Sequence, residues 1–196
     1  MTLIPYVCEL CEIISFAISV KSEILLFLFH TFPNYLYLVQ MTEYEIAKIS
    51  KVNGVCGLCE EYAEKNSTNP AKVAVMSCEG ACARGEVARR AANILAYTLA
   101  PEETVRICLG GAFTKDTGQR NLVRRADKVI AIEGCFIACA SRMMGGVLND
   151  LKPTVVLADT MYPESLPFGI NEVTDEMFTT YAKQVAEDVQ KNHLMV

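Results

Sequence analysis

"AKVAVMSCEGACARGEVARRAANILAYTLAP", residues 71–101, decides how the rest of the chain is read. It opens directly after Asn69-Pro70, a turn signal, with the short β-branched apolar run "AKVAVMS" (71–77), which predicts a strand. The chain then passes through Gly80 into a helical pattern, with Val87, Ala91, Ile94, Leu95 and Thr98 on one stripe. Pro101 cannot continue a helix and ends it. One strand, one turn and one helix make the repeating unit to look for elsewhere.

The unit recurs. "TVRICL" (104–109), closed by Gly110-Gly111, predicts a second strand, and "RNLVRRA" a short helix. "DKVIAIE" (127–133) predicts a third strand, "CASRMMGGVL" a helix weakened by Gly145 and Gly146, and "PTVVLAD" (153–159) a fourth strand. The last helix carries Met177, Tyr181, Val185 and Val189 at four-residue spacing, with Thr174 as N-cap and Val173 stapled onto Phe178. Strands alternating with helices predict an α/β fold: a doubly wound, mainly parallel sheet of four to five strands with helices on both faces.

In such a sheet all carboxyl ends lie along one edge, where ligands bind. Cys78 follows the first strand, Cys108 ends the second, Cys135 follows the third and Asp159 ends the fourth. Cys82 and Cys139 each stand four residues beyond a partner, in the first turn of the next helix, where i and i+4 share a face. Five thiols are thus expected along one edge.

The chain of 196 residues is long enough for a full core, and its composition (52% apolar, 21% charged) is that of a globular protein. A net charge of −5 without any basic block argues against nucleic acid or an anionic membrane surface as partner. Nine cysteines, an odd count with no signal-peptide pattern, fit reduced thiols in a cytoplasmic protein better than a disulfide scaffold. Residues 1–40 differ in kind, an apolar segment with "ILLFLF" at 24–29 that Glu12, Lys21 and Glu23 interrupt. Each charge at a bilayer centre would cost roughly 2.5–3.5 kcal/mol, so no clear membrane span is expected. The segment reads as a start-site artefact before Met41 or as a membrane-associating appendage, and residues 41–196 as the Cys-rich α/β domain.

Converging thiols suit a metal, most simply Zn²⁺ held by four thiolates, and an iron–sulfur cluster could use the same ligands. Helix N-termini at this edge favour thiolate charge. Glu79, Glu133 and Asp159 sit there as carboxylates able to support ligands from outside.

Taken together, "SCEGACARGEVARRAANILA", "RICLGG" and "ADKVIAIEGCFIACASRMM" resemble the DGC-domain family, whose members are read as zinc-binding proteins. The resemblance covers about residues 70–160. It implies a metal site and places the family's four cysteines on Cys78, Cys108, Cys135 and Cys139. The chain departs from the pattern twice: Glu133 stands where the family motif has Asp, and Cys82 adds a fifth thiol. The resemblance leaves the site's role, structural, sensing or catalytic, open, and a homodimer is compatible with it.

Two other readings use the same residues. Cys78-x5-Arg84 between strand and helix is the spacing of Cys-dependent phosphatases and arsenate reductases, with Asp159 as a conceivable general acid, although Gly85 stands where those enzymes have Ser or Thr. Cys56-x2-Cys59 ahead of a helical stretch could form a redox dithiol, or a sulfur-transfer relay with the edge thiols, though "ISKVNGV" is a poor strand before it. Cys8-x2-Cys11 lies in the apolar segment, where inert thiols are common. His30 and His193 are peripheral, and Met143-Met144 suits a helix core.

Overall fold

The computed structural model describes residues 46–163 and 165–194. The chain divides into two units, Met1–Lys48 and Ile49–Val196, and every element below belongs to the second. The apolar segment, Cys8, Cys11 and His30 lie outside the described residues. In chain order the elements are α1 (Gly57–Lys65), β1 (Val73–Ser77), α2 (Ala83–Ile94), β2 (Thr104–Arg106), α3 (Leu109–Thr114), α4 (Gly118–Arg125), β3 (Val129–Glu133), α5 (Cys139–Gly145), β4 (Thr154–Leu157) and α6 (Asp175–His193). A π-helical turn, Leu95–Leu99, extends α2, and Ala100 ends it just before Pro101.

The four strands form one parallel sheet in the order β2-β1-β3-β4. The doubly wound α/β expectation holds, and the winding changes direction between β1 and β3. Alternation along each strand separates two cores. Val75, Ile130 and Ile132 face α2 and α6, whereas Ala74, Met76, Val105 and Ala131 face α1, α3, α4 and α5. On the first face α2 offers Ala83, Ala88, Ala91 and Ala92, all fully buried, so its backbone can approach both the sheet and α6. Phe178, 2% exposed, lies under the Arg90 guanidinium at 5.0 Å from its centroid, and Arg90 also bonds Asp175 at 2.6 Å. A buried side chain of that size stabilises the fold by about 1.5–3 kcal/mol. Thr174 caps α6 as expected, accepting the Met177 N–H at 3.3 Å.

β2 is shorter than its sequence run. Ile107 still donates to the Val75 carbonyl at 2.9 Å, but the Cys108 N–H turns to Gln119 Oε1 at 3.0 Å, and α3 begins at once, running through Gly110 and Gly111. The glycine pair therefore lies within a helix, not at a strand end. Met144 is fully buried and Met143 packs beside it, so this pair belongs to the core.

Candidate functional site

Three glycines bring the loops after β1 and β3 together. A Cβ on Gly134 would stand 2.8 Å from the Arg84 carbonyl carbon and the Gly85 nitrogen, and a Cβ on Gly85 would stand 2.9 Å from the Gly80 oxygen. Backbone rests on backbone here, at the point where the winding reverses, and that point is where open parallel sheets form their binding crevice. A Cβ on Gly80 would meet Cys78 Sγ at 3.3 Å and Cys82 Sγ at 3.8 Å, so both sulfurs face the same glycine. The N–H groups of Gly80 and Gly134 point at the Cys78 sulfur. Burial nevertheless outweighs them and pushes the Cys78 thiol above its ordinary value, with the nearby Cys139 and Glu133 adding to the rise. Cys82 is the N-cap of α2 and accepts the Gly85 N–H at 3.4 Å.

Glu133 does not reach outward as a ligand would. It is fully buried and accepts from the Ala140 N–H at 3.2 Å, the Ser141 N–H at 2.7 Å and the Ser141 hydroxyl at 2.6 Å. It thereby holds the first turn of α5, on which Cys139 is carried. Ala138, at φ 52°, takes the left-handed conformation just before it, which sets the angle at which Cys139 enters the helix. Cys139 is exposed and Cys135 is half-buried in the same loop.

Cys108 faces elsewhere. The Cys56 thiol, burial and the neighbouring Cys108 push the Cys59 thiol up to about 11. Cys56, exposed at the N-terminus of α1, moves the other way: the nearby Cys59 N–H and thiol, with the Leu58 N–H, draw it below its ordinary value, although its side chain makes no cap hydrogen bond. Cys59 and Cys108 line a cavity of about 500 Å³ together with Tyr62, Arg89 and Arg106. Arg106 is buried and bonds Asn93 at 2.9 Å, the Ile107 carbonyl at 2.7 Å and Ser77 at 2.7 Å, with Glu79 as its ion-pair partner. Glu79 is thus spent on neutralising a buried guanidinium.

At the β4 end, Asp159 Oδ2 pairs with Arg84 at 3.4 Å, while Asp159 Oδ1 and the Tyr162 hydroxyl are buried without a hydrogen-bond partner among the described residues. Burial pushes Tyr162 up to about 12, and Asp159 and Cys82 are close enough to add to that shift. The Cys-x5-Arg geometry does not favour an oxyanion enzyme: Cys78 is held protonated, Arg84 is turned to Asp159, and the Ala83 N–H at the start of α2 is taken by the Phe168 carbonyl at 3.0 Å. Gly85 is explained by its seat against Gly80. His193 lies at the far end of α6, where its carbonyl accepts from Lys128 at 2.6 Å beside the opposite edge of the sheet.

The structure therefore brings together Cys78 and Cys82, with Cys139 nearby, and gathers Cys56, Cys59 and Cys108 as a second group. Among the described residues, no three His, Cys, Asp or Glu side chains stand in the geometry of a finished metal site. No helix among the described residues is long and apolar enough to cross a membrane. Sequence reading missed Arg106 and Gln119. An arginine inside the strand run "TVRICL" was the available signal for the first, whereas nothing local marks Gln119 as buried. The family model of the DGC domain matches residues 74–189, more than half of the chain. Comparisons with curated proteins and with solved structures gave no match.

Proposed function

Because the chain belongs to the DGC-domain family, we propose that it binds a thiophilic metal ion, zinc first, through thiolates at the switch point of its sheet. Cys78, Cys82, Cys135 and Cys139 supply the set. Cys82 takes the place that the family resemblance gives to Cys108, because Gln119 holds the Cys108 backbone beside Cys59. The observation that carries the reading is the shared Gly80: two sulfurs flank it, and two amides already point at one of them. Amide N–H groups aimed at sulfur are the outer support that a metal-bound thiolate needs. Soft thiolates select zinc or iron–sulfur chemistry over hard cations. The orphaned Asp159 Oδ1 beside this edge offers an oxygen to complete or steady the set.

The thiols fit in kind, and since no three such donors among the described residues stand ready to hold a metal, on this reading the set closes only on binding. Cys78 gives up its proton to be a ligand, so affinity rises with pH through the thiol range. Glu133 and Ala138 orient the turn that carries Cys139. Four thiolates would make zinc structural or sensing, and three with one water would make it a Lewis acid.

The test is metal content and thiol count on the whole chain purified without chelator. About one zinc per chain, with the thiols of this set becoming reactive only on chelation, supports the reading. A folded chain that takes up no zinc overturns it. Iron with labile sulfide transfers the same ligands to a cluster.

A further inference from the structure

Among the described residues, the metal set leaves three thiols unused. Cys59 stands one helical turn beyond Cys56 and is tied through Gln119 to Cys108. Gln119, only 2% exposed, fixes the spacing: its Oε1 takes the Cys108 N–H at 3.0 Å and its Nε2 donates to the Cys59 carbonyl at 3.3 Å. Cys56 is exposed at the start of a helix of nine residues, and Cys59 is half-buried one turn on. Cys59 and Cys108 line a cavity of about 500 Å³, a size suited to a small molecule. Arg89 also borders that cavity, its guanidinium partly exposed and paired with Glu86 at 2.7 Å.

We infer that Cys56, Cys59 and Cys108 form a thiol–disulfide exchange site for a low-molecular-weight disulfide. Cys56, exposed at the start of α1, attacks as thiolate; its bond to one sulfur forms as the substrate's S–S bond breaks, and the departing thiolate takes a proton from water. Cys59 loses its proton and attacks Cys56 Sγ, which breaks the mixed disulfide and releases the second thiol. The protein gives up two electrons and two protons, and the disulfide is reduced to two thiols. Cys108 can then attack Cys59 Sγ, which returns Cys56 to the thiol form and moves the bond to Cys59–Cys108 without further redox change. Gln119 is a positioning residue for this last step.

The experiment treats the reduced whole chain with glutathione disulfide and maps the products by mass spectrometry, with zinc measured in the same samples. The wild type should yield Cys56–Cys59 or Cys59–Cys108 and release two glutathiones. Cys59→Ser should trap glutathione on Cys56, and Cys56→Ser should slow the reaction by about tenfold or more. Gln119→Leu should lower the share of Cys59–Cys108 while Cys56–Cys59 still forms. The inference is overturned if Cys56 reacts no faster in the folded chain than in urea, or if oxidation falls first on Cys78, Cys82, Cys135 or Cys139. Either outcome leaves the zinc measurement to judge the metal reading separately.

Discussion

Replacing Gly134 by Ala should be among the damaging single-methyl changes in this molecule, because three backbone atoms would stand within 3.0 Å of the new Cβ. Its Cβ would sit 2.8 Å from the Arg84 carbonyl carbon and the Gly85 nitrogen, and 2.9 Å from the Arg84 oxygen. Ordinary contacts begin near 3.4 Å, so loop and helix must separate by about half an ångström, and neither partner is a side chain that can swing aside. Overpacking of this kind costs about 1–3 kcal/mol, and backbone on both sides argues for the upper end. Two other glycines calibrate the reasoning. Gly80→Ala meets only the Cys78 and Cys82 sulfurs, at 3.3 and 3.8 Å, and should cost less than about 1 kcal/mol. Gly110→Ala meets nothing within 4 Å inside α3 and should stabilise by up to about 1 kcal/mol through helix propensity. Urea unfolding of the three metal-free, reduced variants gives the order directly, and the reactivity of Cys78 reports whether the Gly134 amide has moved away. If Gly134→Ala unfolds at the same denaturant concentration as Gly110→Ala, the stacked-glycine account is wrong.

Glu86 is held below the ordinary carboxylate range, chiefly by its hydrogen bonds from Arg89 at 2.7 and 2.8 Å, against its own burial. A depressed folded value means stability present above the unfolded value of about 4.5 and lost as pH falls through the folded one. Glu86→Gln should therefore flatten the acid limb of stability against pH and cost about 1–2 kcal/mol at neutral pH, discounted for the partial exposure of Arg89; an unchanged acid limb rejects this. Glu133→Gln turns an amide N–H₂ toward backbone donors of α5, and should cost about 1–3 kcal/mol and make Cys139 react faster in a thiol assay. Thr174→Ala removes the cap of α6 and should cost about 1 kcal/mol in the same unfolding measurement.

The fold was legible because its signals are local. The β-branched run before Cys78, the stripe of α2 and the cap of α6 each state their element within a few residues, and right-handed crossovers do the rest. The thiol edge was legible for the same reason, since strand ends define it. The division of the thiols was not. It depends on a side chain, Gln119, whose partners stand 11 and 60 residues away in sequence, and on a buried arginine that claims Glu79. The partners of the carboxylates were equally hidden: Glu133 reads as an acid beside cysteines, and only the packed α5 turn shows that its oxygens are occupied by amides and a hydroxyl. Gly85 looked like a missing hydroxyl and is instead a required absence of a side chain.

The pairing of β1 with β3 has a consequence in time. Val75 and Ile130 lie side by side in the finished sheet, yet β2 and three helices separate them along the chain. Parallel pairings of such separation form late, because the loop entropy is lost before the contact returns anything. During synthesis Cys78 and Cys82, which follow β1, therefore emerge and wait, uncovered, until the segment around Cys135 arrives. Refolding yield should accordingly depend on reductant most strongly during this interval and hardly at all once β3 has docked, so the delay at which added reductant stops helping reads out the lifetime of the open edge.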